Sequence, residues 1–139
     1  MKITICGSMA FAKQMQEYTE KLQKLGHEVH IPHGVEDYAK GKLTDGMGDS
    51  EAAKRKIEHD LIRRHYDLIK KSDAVLVLNY DKNGIQHYIG GNSFLELGFA
   101  HILGKKIYLI NPVPDIKLIR SEIDAMQPVV LNGDVSKIK

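Results

Sequence analysis

Apolar and polar positions along this chain fall into two alternating spacings. Ile3-Thr4-Ile5-Cys6 and Ala74-Val75-Leu76-Val77-Leu78 are short, nearly unbroken apolar runs that stop at Gly7-Ser8 and at Asn79. Runs of that length predict strands buried on both faces. Between the runs the spacing becomes helical. Phe11, Met15, Tyr18, Leu22 and Leu25 predict a helix over about residues 10–25, with Gly26 as its left-handed stop. Residues 28–31 predict a second strand ended by Pro32. Ile57, Leu61, Ile62, Tyr66 and Ile69 predict one long helix that Asp49 or Ser50 caps and that runs to about Lys71. After the third strand a loop, 79–91, leads to a helix over 94–103 closed by Gly104. A fourth strand is predicted at 106–110, a helix at 118–126, a short last strand at 128–131 and a tail at 132–139. The polar stretch 33–49, with four glycines, is long for a connection and predicts a functional lid or a locally mobile segment.

This alternation predicts an α/β fold: one domain over residues 1–139, built as a three-layer sandwich around a five-stranded parallel sheet. Right-handed crossovers restrict the topology, and the flavodoxin-like, Rossmann-like order 2-1-3-4-5 is expected. Ligands of such sheets sit beyond the carboxyl ends of the strands, where the order reverses. That crevice would gather Gly7, Ser8 and Met9 with Asn79, Tyr80 and the turn from Gly90 to Glu96.

Composition narrows the function. A formal charge of +2 makes no general electrostatic case for a nucleic-acid polymer. The single cysteine, Cys6, excludes an internal disulfide and fits a reducing compartment. Seven histidines are present, yet none stands at a recognisable ligand spacing from another, so no metal and no cofactor is expected. No apolar run reaches membrane-spanning length, and the strand-like start at Lys2 is read as leaving no room for a signal peptide; a soluble, cytoplasmic protein is expected.

The stretch Gly90-Gly91-Asn92-Ser93-Phe94-Leu95-Glu96 carries the chemistry. Glycines let backbone N–H groups approach a ligand, and a helix N-terminus favours an anionic group placed against it. Glu96 puts a carboxylate into an apolar run, where it needs a partner or a task. Ser93 and Glu96 also fit the S-x-x-E capping box, in which the glutamate only secures the helix start. Lys54-Arg55-Lys56 and Arg63-Arg64 form a basic helix face, either a solvated surface or an attractor for a phosphorylated substrate.

Three segments resemble the nucleoside 2-deoxyribosyltransferase superfamily, which includes nucleoside 5′-monophosphate N-glycosidases. They are Ile5-Cys6-Gly7-Ser8-Met9, Ser72-Asp73-Ala74-Val75-Leu76-Val77-Leu78, and Ser93-Phe94-Leu95-Glu96-Leu97-Gly98-Phe99-Ala100 followed by Leu103-Gly104-Lys105. The resemblance implies cleavage of an N-glycosidic bond, by hydrolysis or base exchange, with Glu96 as the nucleophile that attacks C1′. It implies substrate contacts from Gly7, Ser8, Met9, Asn79, Gly90, Gly91, Asn92 and Ser93, and a homodimer or larger homo-oligomer in which 111–127 reaches across. Many members carry a tyrosine where this chain has Thr4, and an aspartate where it has His65. His65 is then the expected general acid or orienting group, with Asp60 and Asp67 as neighbouring alternatives. A non-catalytic nucleotide-binding module on the same scaffold, and a phosphoribohydrolase of the cytokinin-activating type, are the competing functions.

Overall fold

A computed structural model describes residues 1–43 and 48–139. The chain runs β1 (Lys2–Gly7), a 3-10 turn (Met9–Phe11), α1 (Ala12–Lys24), β2 (Glu28–His30), α2 (Val35–Ala39), α3 (Asp49–Glu58), α4 (Leu61–Lys70) and β3 (Ala74–Leu78). It continues through α5 (Gly91–Ile102), β4 (Lys106–Leu109), α6 (Arg120–Ala125), β5 (Val129–Val130) and a second 3-10 turn (Val135–Lys137). The five strands are parallel in the order β2-β1-β3-β4-β5, as the alternation predicts.

Strand alternation divides the core into two layers. Ile3 and Ile5 of β1, with Leu76 and Leu78 of β3, face Ala12, Met15, Tyr18 and Leu22 of α1. Cys6, Val75, Val77, Ile107 and Leu109 face the other way, onto Ile69 of α4, Leu97 and Ala100 of α5 and Ile123 of α6. Each large side chain removed from water in this way contributes about 1.5–3 kcal/mol. No helix among the described residues is long and apolar enough to cross a membrane.

Four expectations change. The long helix over 49–71 is two helices: Asp60, left-handed at φ 50°, breaks it between α3 and α4. Aspartate tolerates that conformation, and the bend leaves Ile57 79% exposed while turning His65 and Ile69 inward. Gly48, not Asp49 or Ser50, occupies the cap position of α3, and no side chain bonds there. The helix predicted at 94–103 begins at Gly91 with Gly90 as its cap residue. Residues 132–139 are no tail: Asp134 caps the last 3-10 turn, Val135 and Ile138 are buried, and Tyr108 OH donates to the Lys139 carbonyl at 3.3 Å. The polar stretch 33–49 contains α2, whose Val35 is buried; its residues 44–47 lie outside the described residues.

Candidate active site

The earlier start of α5 decides how Glu96 is read. With Gly90 at the cap position, Glu96 lies in the second turn and cannot serve a capping box. Its side chain instead points back toward the start of its own helix, where Asn92 Nδ2 donates to Oε1 at 3.0 Å. Glu96 is 5% exposed. Its Oε2 is buried, and among the described residues no aligned donor meets it. His65 Nε2 is close, at 3.2 Å, but outside hydrogen-bonding alignment. The same nitrogen lies 3.3 Å from Cys6 Sγ. Three elements, β1, α4 and α5, thus deliver a thiol, an imidazole and a carboxylate to one buried point. Burial, and then the adjacent negative charge of Glu96, pushes the Cys6 thiol well above its ordinary pKa.

Glu96, His65 and Asn92 line a cavity of about 480 Å³. Its other walls come from Met9, from Ile31, Pro32 and His33 beyond β2, from Tyr38, and from α3 and α4. The rim is basic: Arg55, Lys56, Arg64 and Lys71 all line it, with Asp67 among them. Lys54 and Arg63, predicted on the same basic face, pair instead with Glu58 and Asp60. Arg64 Nη1 donates to His33 Nδ1 at 3.3 Å. Partial burial, then Arg64, Arg55 and His59, lower the His33 pKa. The opening therefore concentrates positive charge and donors around a cleft whose floor holds the carboxylate.

The other expected contacts sort differently. Asn79, fully buried, clips the loop after β4: its Nδ2 donates to the Asn111 and Pro112 carbonyls at 3.0 Å, and its Oδ1 accepts from Asn111 N at 2.9 Å. It is a structural brace outside the cavity. Gly7 lies at φ 150°, where a Cβ would come within 3.0 Å of the Leu78 carbonyl oxygen, so the packing of β1 on β3 requires glycine. Ser8 Oγ accepts from Ala10 N at 3.2 Å and from Lys82 Nζ at 2.8 Å. A Cβ on Gly90 would meet the Tyr88 ring, whereas Gly91 opens α5 with no such neighbour. Ser93 is buried on α5, outside the cavity wall. Of the ten expected residues, Glu96, His65, Met9 and Asn92 meet around the cavity.

Thr4, where many members of the resembled superfamily carry a tyrosine, is fully buried and lies outside the cavity wall. Ser72 Oγ donates to the Leu68 carbonyl at 2.8 Å, so the Thr4 hydroxyl donates to Ser72 at 2.6 Å. Cys6 was not among the expected residues, yet it stands against His65. The signal was present in the period of the strand, since Cys6 shares the α4-facing side of β1 with Thr4.

The five-stranded parallel sheet in this order is shared with solved structures. The solved structure of 2-deoxyribosyltransferase from Bacillus psychrosaccharolyticus is similar over 94% of this chain and 98% of its own, at 19% identity and a TM-score of 0.54. The CMP N-glycosidase BcmB of Clostridium botulinum matches over 78% of this chain and 70% of its own, at 19% identity and a TM-score of 0.44. No protein-family model matches the chain, and no curated protein matches its sequence. The chain shares the fold of that 2-deoxyribosyltransferase.

Proposed function

We propose that this protein cleaves the N-glycosidic bond of a nucleoside or nucleoside 5′-monophosphate, with Glu96 as nucleophile and His65 as acid and base. The observation that carries this reading is the buried Glu96 carboxylate on a 480 Å³ cavity, one oxygen held by Asn92 and the other without an aligned donor. An oxygen so placed keeps a lone pair for an electrophilic carbon. The fold shared with an enzyme named 2-deoxyribosyltransferase supports the same reaction class.

In the first displacement Oε2 attacks C1′ and the C1′–N bond breaks, its electron pair leaving with the base. Protonated His65, 3.2 Å from Oε2, supplies the proton that the departing nitrogen needs. In the second, neutral His65 takes a proton from water, the hydroxide oxygen bonds C1′, and the glycosyl ester reopens to carboxylate. A second base in place of water gives exchange. Arg55, Lys56, Arg64 and His33 at the rim support a 5′-phosphate on the substrate. The exposed apolar side chains Leu95 and Ile102, which share a groove with Met126 of the 111–127 stretch, and Ile57 and Ile62, which line a second groove, support assembly with a second copy of the chain, which a sizing measurement would read directly.

The test is incubation with a panel of nucleosides and their 5′-monophosphates, following free base by chromatography. Release that disappears in Glu96→Gln, while that variant still binds the nucleotide by calorimetry, supports the reading. Saturable binding with no base release from any substrate overturns it in favour of a binding module.

A further inference from the structure

We propose that Cys6, His65 and Glu96 form a binding site for one thiophilic divalent cation, zinc in the first instance, with its fourth coordination position open toward the cavity. The donor atoms come from β1, α4 and α5, and all three lie within 4.8 Å of one another. Cys6 Sγ to His65 Nε2 is 3.3 Å, and His65 Nε2 to Glu96 Oε2 is 3.2 Å. A tetrahedral ion with bonds of about 2.0–2.3 Å places its ligand atoms roughly 3.3–3.7 Å apart, so the Cys6–His65 and His65–Glu96 spacings need only a few tenths of an ångström of adjustment.

The orientation of the carboxylate agrees with distance. His65 and Glu96 are near each other but misaligned for a hydrogen bond, and Oε2 is buried without an aligned donor. Cys6 and His65 are hydrogen-bonded at 3.3 Å, a contact that is exchanged for two bonds to the ion on binding. Asn92 holds the other carboxylate oxygen, Oε1, and so fixes which oxygen faces the centre. Thiolate, neutral imidazole and carboxylate together carry two negative charges, which a divalent ion neutralises in a pocket where an uncompensated charge is costly. Binding is a proton exchange: the Cys6 S–H bond breaks, sulfur bonds the ion, and the proton passes to buffer; any proton on His65 Nε2 leaves the same way. Since His65 and Glu96 line the cavity, water or a substrate oxygen can reach the fourth position.

The site stands independently of the proposed cleavage, but the two meet at Oε2. A bound ion occupies the lone pair that a nucleophile requires, so zinc would suppress base release.

The experiment uses the full chain, stripped with chelator, and contains no nucleoside. Cobalt(II) is titrated in and the thiolate-to-cobalt absorption in the near ultraviolet is followed; zinc is then added to displace it. The expected result is one equivalent per chain, at least one proton released per ion, loss of the thiolate band in Cys6→Ser, and at least tenfold weaker binding in His65→Gln. Circular dichroism of the stripped variants shows whether each is folded. X-ray absorption of the zinc-loaded parent chain needs no variant, and should give one sulfur at about 2.3 Å beside nitrogen and oxygen at about 2.0–2.2 Å. A zinc shell without sulfur, a thiolate band that persists in Cys6→Ser, or no ion retained at equimolar concentration overturns the proposal. A chain that retains zinc but, once stripped of it, releases no base leaves this site standing and removes the cleavage reading; a stripped chain that releases base but retains no zinc removes only the site.

Discussion

His65 Nε2 stands 3.2 Å from Glu96 Oε2, with both side chains 7% exposed. The pair joins a helix that precedes β3 to one that follows it, and both residues line the cavity. Replacing either side chain has a different expected consequence. Glu96→Gln keeps the shape and the contact with Asn92 but loses the proposed nucleophile, so base release should fall by on the order of 10³-fold or more. His65→Gln should lose about 10²–10⁴-fold and flatten the pH profile of the residual rate, because proton transfer is its proposed task. Steady-state rates across pH for the two variants check this.

The basic rim should discriminate by phosphate. Arg55 and Arg64 line the cavity mouth, away from Glu96 in sequence and on different helices. Arg55→Ala and Arg64→Ala are expected to raise KM for a nucleoside 5′-monophosphate by about tenfold each, equivalent to about 1.4 kcal/mol of lost charge-assisted binding. The matching unphosphorylated nucleoside should show little change. Equal losses on both substrates would remove the rim from phosphate recognition.

His33 offers a pH-dependent reporter of the same rim. Its pKa lies below 6.5 because partial burial, and then Arg64, Arg55 and His59, disfavour the charged ring. A histidine whose folded pKa is depressed binds fewer protons than its unfolded form, so stability should decline as pH falls through the unfolded value and on through the folded one. Inorganic phosphate seated between these cations would offset their charge and raise the His33 midpoint. The imidazole proton resonance, titrated with and without phosphate, reads both effects; Arg64→Ala should raise the midpoint without any phosphate.

Asn79 should behave as a brace. Its replacement by alanine strands the Asn111 amide and the Asn111 and Pro112 carbonyls next to a fully buried position. Denaturant unfolding should show a loss of about 2–3 kcal/mol, in the range of unsatisfied buried polar groups. Nucleotide affinity of the remaining folded protein should be unchanged. Weakened affinity at full stability would return Asn79 to the substrate site.

Local pattern carried the fold because the strands are buried on both faces and leave unbroken apolar runs. Ala74-Val75-Leu76-Val77-Leu78 matches β3 residue for residue. Termini were less legible. The S-x-x-E spacing of Ser93 and Glu96 imitates a helix start, while the helix begins at Gly91, where glycine gives no propensity signal. The break at Asp60 was hidden because apolar residues continue at helical spacing on either side of it. The buried contacts of Val135 and Ile138 lie in a sequence too short and polar to announce them.

Sequence alone determined the parallel α/β architecture, its strand order, and Glu96 as the residue to watch, since each depends on periodicity or on one short motif. Tertiary structure decided what stands beside that glutamate. Cys6 and His65 are 59 positions apart in the chain and approach only because β1 turns its even-numbered side chains toward α4. Asn79, at the end of a central strand, was instead drawn to the loop after β4. Spacing along a chain reports which face a side chain takes; which other face it meets depends on how the crossovers pack, and packing is a property of the whole sheet.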